Sequence, residues 1–189
     1  MDADVAGSGA SGFAQDIAAG AMSVLTVRRE RADDIDAIRA MHRAAFAGAD
    51  PVEARLGDAL RADPGWLPHL SLVAVLDGEV TGHVVATRAW VGDVAALGVG
   101  PIGVLPAVQG RGVGSALMYA LLGAAQARDE TLIGLLGEPA YYGRFGFVAA
   151  AELGVAAPDP AWGPYFQVLP LTGRAPAGGF HYAAPFDEI

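Results

Sequence analysis

Beyond residue 22 the chain alternates between runs that are apolar continuously or at every second position and runs whose apolar residues recur every third or fourth. Residues 22–28, Met-Ser-Val-Leu-Thr-Val-Arg, read as the start of a folded domain with a first strand. Asp33 or Asp34 can then cap a helix whose apolar positions Ile35, Ile38, Met41, Ala45 and Phe46 fall at helical spacing. A second helix is predicted over 52–62 and ends before Pro64-Gly65. Residues 70–76 and 80–90 flank Asp77-Gly78, a favoured two-residue turn, and predict a hairpin. Gly92-Asp93 turns the chain again into a strand over 94–104. Residues 115–128, rich in Ala, Leu and Met, predict a helix with Leu117, Leu121 and Leu122 in the core. Further strands are expected over 131–136, 147–150 and 166–171, with a short helix over 139–145 and a strand at 180–183 within the tail.

Hairpins followed by a strand-helix-strand unit imply an α/β (α+β) fold with a mixed, mostly antiparallel central sheet flanked by helices. Pro101 and the glycines around it predict a bulge, or the loss of a neighbour, in the strand over 100–103. Residues 1–21 hold small residues with Asp2, Asp4 and Asp16, and neither a basic start nor an apolar core. They read as a flexible extension, neither signal peptide nor membrane span, ahead of one domain over 22–189. The expected location is the cytoplasm.

The length suits one domain with a substantial core. A net charge of −9 argues against a nucleic-acid partner and favours cationic ones such as amines. All 12 basic residues are arginine and cysteine is absent, which excludes a disulfide framework and a cysteine nucleophile. His42, His69, His83 and His181 have no metal-ligand spacing, so no metal is expected.

Gln109-Gly110-Arg111-Gly112-Val113-Gly114 lies where a strand hands over to a helix. Glycines at alternate positions let backbone approach a ligand, and the unpaired amides and dipole of a helix start attract phosphate. Arg111 can add a charged hydrogen bond, and the Ser115 hydroxyl can reach a phosphate from the first helical turn. A Walker loop needs a lysine that this chain lacks. A dinucleotide fingerprint needs G-x-G-x-x-G, against G-x-G-x-G here. No G-x-S-x-G elbow surrounds Ser115.

Residues 109–114 resemble the Q/R-x-x-G-x-G/A signature of the GNAT superfamily of acyl-CoA-dependent N-acetyltransferases. Residues 100–106 look like that family's fourth strand, and residues 139–147, Pro-Ala-Tyr-Tyr-Gly-Arg-Phe-Gly-Phe, look like its late Tyr-x-x-x-Gly-Phe segment. With Leu136-Gly137-Glu138-Pro139 ahead of the tyrosines, the pieces are similar to a bacterial branch of predicted N-acetyltransferases.

The resemblance implies a splayed strand pair whose gap admits the pantetheine arm of acetyl-CoA. The amides of Ile102, Gly103 and Val104 would bond the arm, and Gln109, Gly110, Arg111, Gly112, Val113, Gly114 and Ser115 would hold the diphosphate. Tyr142 would then serve the departing thiolate, and the acceptor would be a small-molecule or protein amine. For the base that deprotonates it, Glu138 is a candidate by position, with Glu79, Asp93 and His83 behind it. Trp66, Trp90 and Trp162 could line an acceptor pocket, as could the segments 48–68 and 156–164. A non-catalytic acyl-CoA-binding regulatory module, a Rossmann-type oxidoreductase and a homodimeric assembly stay open.

Overall fold

The computed structural model describes residues 23–46 and 51–188. The extension expected over residues 1–21 lies outside them. Strand β1 (Leu25–Arg29) leads to helices α1 (Ile35–Ala45) and α2 (Val52–Ala62), then to β2 (Ser71–Leu76), β3 (Glu79–Val91) and β4 (Val94–Val104). Helix α3 (Val113–Gln126) connects to β5 (Leu132–Leu136), and the single turn α4 (Pro139–Tyr142) precedes β6 (Val148–Ala149), β7 (Val155–Ala156), β8 (Phe166–Pro170) and β9 (Gly178–His181). The sheet runs β1-β2-β3-β4-β5-β8-β6, and β9 joins β3 to β7. Its pairs are antiparallel except β4–β5 and β7–β9.

Local chemistry explains most boundaries. Asp77 and Gly78 both hold positive φ, which a tight hairpin turn requires. Helix α3 begins after Gly112 in the left-handed region and buries Val113, Leu117, Leu121 and Ala125 at four-residue spacing. Phe46, expected inside α1, is its extended C-terminal cap. The Asp34 carboxylate stands at the start of α1 but turns away from it. It accepts a two-pronged bond from Arg28 at 2.6 and 2.9 Å and a third from the Arg31 amide, tying α1 to β1. The expected strand over 147–150 keeps only Val148–Ala149, and the chain then turns to the unexpected β7.

Helix α3 covers one face of the sheet, and Leu72, Val84, Leu97, Val99 and Ile133 pack beneath it. Helices α1 and α2 and the C-terminal segment cover the other. On that second face the paired residues Gly98 and Gly134 form a recess. A Cβ at Gly98 would lie 2.5 Å from the Tyr182 ring, and one at Gly134 would lie 2.5 Å from the Phe180 ring. Missing side chains on the sheet thus seat two aromatic rings from the tail.

A chain of buried polar groups links α1 to the sheet. Ser71 donates its hydroxyl proton to Glu30, so its oxygen accepts from His83 Nε2 at 2.9 Å. His83 Nδ1 must then accept, and His42 Nε2 donates to it at 2.9 Å. Arg61 donates to the other Glu30 oxygen at 2.5 Å. Burial, with His83 beside it, pushes the His42 imidazole down to about 3. Burial also lowers His83, against the opposing pull of Glu30. Burial alone would raise Glu30, but bonds from His83, Arg61 and Ser71 outweigh it and bring the carboxyl to about 2.

Both depressed histidines make the fold acid-sensitive. The unfolded chain takes up protons at their ordinary value near 6.5, and the folded chain refuses them. Stability is therefore full above pH 6.5 and falls below it, while the Glu30 contribution persists to about pH 4.5 before declining toward pH 2. Urea denaturation at pH 7 and pH 5 should differ by about 2–4 kcal/mol. Equal midpoints and slopes at the two pH values would contradict the neutral, buried pair.

Candidate active site

Strands β4 and β5 part company midway. They pair at Leu97–Ile133, Gly98–Gly134 and Val99–Leu135, and pairing stops there although β4 continues to Val104. Against β3, Val84 faces Ile102 while Ala86 faces Val99, so β4 carries one extra residue at Gly100-Pro101. The expected bulge and the loss of a neighbour occur together. The Leu105 amide donates to Thr81 on the β3 side at 2.9 Å. By the alternation of an antiparallel ladder, the amides of Val104 and Ile102 then point into the gap and that of Gly103 points at β3. Of three amides expected to line the gap, Gly103 is turned away and contributes only surface.

The gap opens into a cleft of about 460 Å³ between the end of β4, the start of α3 and α4. Ile102, Gly103, Val104, Gln109, Gly110, Gly112, Val113, Gly114 and Ser115 all line it, as the sequence reading expects. Gly110 and Gly112 hold φ of +73° and +86°, where a side chain would be strained. Gly114 serves differently, since a Cβ there would sit 2.7 Å from the Tyr141 hydroxyl. The Gln109 side chain donates to the Val104 carbonyl at 3.0 Å and bolts the turn to the strand. No side chain caps the start of α3, so its first amides face the cleft ready for an anion.

Arg111 departs from expectation: it is exposed and does not line the cleft. Arg144 takes that place, with its guanidinium 4.6 Å over the Tyr141 ring. Val108 and Tyr141 also line the cleft, beyond the residues expected. Both Tyr141 and Arg144 belong to the late tyrosine segment, so their signal was present in the chain.

Tyr142 stands at the junction of this cleft with a second cavity of about 790 Å³, and Ile102 is the other residue they share. Its ring packs edge-on against Tyr141 and Phe147. Burial, with Tyr141 beside it, pushes the phenol up to about 12, so the hydroxyl stays protonated and can donate. The second cavity draws on α2, the bulge of β4, residues 157–162 and the tail, and Trp162 lies in its wall. Trp66 lies by Arg61 and Trp90 is exposed on β3, both outside it.

The candidate bases are not in either cavity. Glu138 is exposed and caps α4, accepting from the Ala140 amide at 3.4 Å. Its position after β5 is that of a helix cap, which explains an acidic residue there without catalysis. Glu79 and Asp93 are exposed at hairpin turns, and His83 is committed to the buried chain under β3. The carboxylates and imidazole that do line the second cavity are Glu53, Asp187 and His181; Glu53 falls in the segment 48–68 expected to line an acceptor pocket, whereas Asp187 and His181 reach it from the tail and no local signal singles them out. Among the described residues no cluster of His, Asp and Glu could hold a metal. No helix there is long and apolar enough to cross a membrane.

Known proteins resemble this chain in sequence and fold. A family model described as an acetyltransferase (GNAT) domain matches residues 26–150. The N-acetyltransferase YhbS of Escherichia coli strain K12 is 33% identical over 154 residues, 80% of this chain and 90% of its own. The crystal structure of YhbS in complex with CoA superimposes with a TM-score of 0.79 at 28% identity, covering 89% of this chain and 94% of that one. A GNAT family acetyltransferase from Brucella melitensis, solved with acetyl-CoA, has a TM-score of 0.72 at 35% identity, covering 87% and 99%.

Gly137 provides a direct check on how Tyr142 is held. A Cβ there would lie 2.1 Å from the Tyr142 ring. Gly137→Ala should therefore lower stability by about 1–3 kcal/mol, seen as a fall in Tm. An unchanged Tm would mean that the ring is not wedged against this glycine.

Proposed function

The chain belongs to the GNAT family of acetyltransferases, and from that premise we propose that it moves an acetyl group from acetyl-CoA to a primary amine by direct attack in a ternary complex. The observation that carries the reading is the junction at Tyr142, where a cleft walled by bare backbone meets a separate cavity. Residues 22–189 act in this reading as one acyltransferase domain.

Acetyl-CoA would lay its diphosphate on the turn over 109–115, with the first amides of α3 as donors and Arg144 as the nearby cation. Its arm would take the place of the missing β5 partner along Ile102 and Val104. The Val104 amide would polarise the thioester carbonyl, as an oxyanion-hole donor does. The amine attacks that carbon from the second cavity, the new C–N bond forms and the C–S bond breaks. The amine must first lose a proton, since a lysine-like amine of pKa about 10.4 is charged at neutral pH. Glu53, Asp187 and His181, which line that cavity, would receive it.

Tyr142 supplies the last step. A phenol near 12 opposite a thiol near 8.5 makes complete proton transfer uphill by about 5 kcal/mol. The hydroxyl therefore works by a hydrogen bond that strengthens as charge grows on the sulfur. Among the described residues it has no hydrogen-bond partner, which leaves it available to the leaving group.

Tyr142→Phe should lower kcat by about 10²-fold while calorimetric CoA affinity stays within a few-fold. Unchanged turnover would remove Tyr142 from the reaction. In the wild type the rate should rise with pH as the amine is deprotonated. It should show no fall up to pH 10, because the phenol retains its proton there.

A further inference from the structure

The second cavity is walled mainly by apolar and aromatic groups, with Glu53, Asp187 and His181 among its polar side chains. Phe46, Trp162, Phe180, Tyr182 and Phe186 converge on it from α1, the 160–165 turn and the tail. Four of the rings contact one another through Tyr182, which lies 6.5 Å from Trp162, 4.8 Å from Phe180 and 4.5 Å from Phe186. The glycine recess under Phe180 and Tyr182 sets the wall back against the sheet. A space of about 790 Å³ results, within the range of a small-molecule pocket.

The charged side chains in the wall are Glu53 and Asp187, and no arginine is among the described lining residues. The chain has no lysine to supply a cation either. A carboxylate or phosphate on the acceptor would find the His181 imidazole as its sole basic side chain among the described lining residues and would face two carboxylates, which is costly. An ammonium group meets the opposite situation, with carboxylates as partners and aromatic faces that favour cations.

On the acetyl-transfer reading above, we propose that the acceptor is an arylalkylamine: a primary amine on a flat apolar body that carries no carboxylate or phosphate. The ring stacks in the aromatic wall, Glu53 and Asp187 draw in the ammonium, and the freed amine reaches the thioester beside Tyr142 and Ile102. The same features disfavour free amino acids, for their carboxylate, and aliphatic polyamines, which cannot fill the wall.

Thiol release from acetyl-CoA, with the full chain, tests this against matched amines. Phenethylamine and tryptamine should exceed phenylalanine and tryptophan, and also spermidine, by at least about 10-fold in kcat/KM. Trp162→Ala should raise KM for phenethylamine several-fold with CoA affinity unchanged, and Glu53→Gln should do likewise. In a thermal-shift assay of the CoA-loaded protein, phenethylamine should raise Tm and phenylalanine should not. Preference for spermidine or a carboxylate-bearing amine would overturn the acceptor class and leave the transferase reading standing. Calorimetry that shows no acetyl-CoA binding, or no thiol release with any amine, would overturn both.

Discussion

The parting of β4 from β5 after Val99 is the constraint on which the rest of the site depends. A parallel pair that continued to Val104 would satisfy the amides of Ile102 and Val104 and close the cleft. It does not continue, because the extra residue at Gly100-Pro101 bends β4 and a proline has no amide to offer. Unpaired backbone in a buried setting needs a partner. On the proposed reading a thioester cofactor is that partner, so the gap is a strand position reserved for a ligand.

Everything around the gap keeps it open at a fixed width. Gln109 holds the glycine turn to the end of β4, while Tyr141 presses against Gly114 and Tyr142 against Gly137. On the other face, the chain from Glu30 through Ser71 and His83 to His42 secures α1 beneath the same strand. His42 Nδ1 is buried without a hydrogen-bond partner and sits 2.8 Å from where a Gly103 Cβ would stand. A side chain at position 103 would force His42 and Met41 of α1 to shift. Glycine here serves packing, whereas the resemblance cast its amide as a donor to the arm.

The architecture and the cofactor half of the site were legible in the chain because their signals are local. Asp77-Gly78, the spacing of Leu117 and Leu121, and the glycines of 110–114 act through backbone conformation within a few residues. Nine of ten expected cofactor-side residues line the cleft for that reason. Arg111 does not, since an exposed turn sends its long side chain outward, while Arg144 arrives from a segment 33 positions later. Glu138 looked catalytic by its place after β5, and that place is also where a helix cap belongs. The proposed acceptor side was legible only as segments: Glu53 and Trp162 fall within 48–68 and 156–164, while Phe46 and Asp187 join them only through the tertiary fold. Two-residue strands such as β7 lack any period to read.

The recess at Gly98 and Gly134 divides the molecule's responsibilities. The second cavity takes six of its lining residues from positions 179–187, whereas the cleft beside α3 is lined wholly by residues 102–144. On the proposed reading, changes in that C-terminal stretch alter acceptor preference without touching the residues that hold the acyl donor.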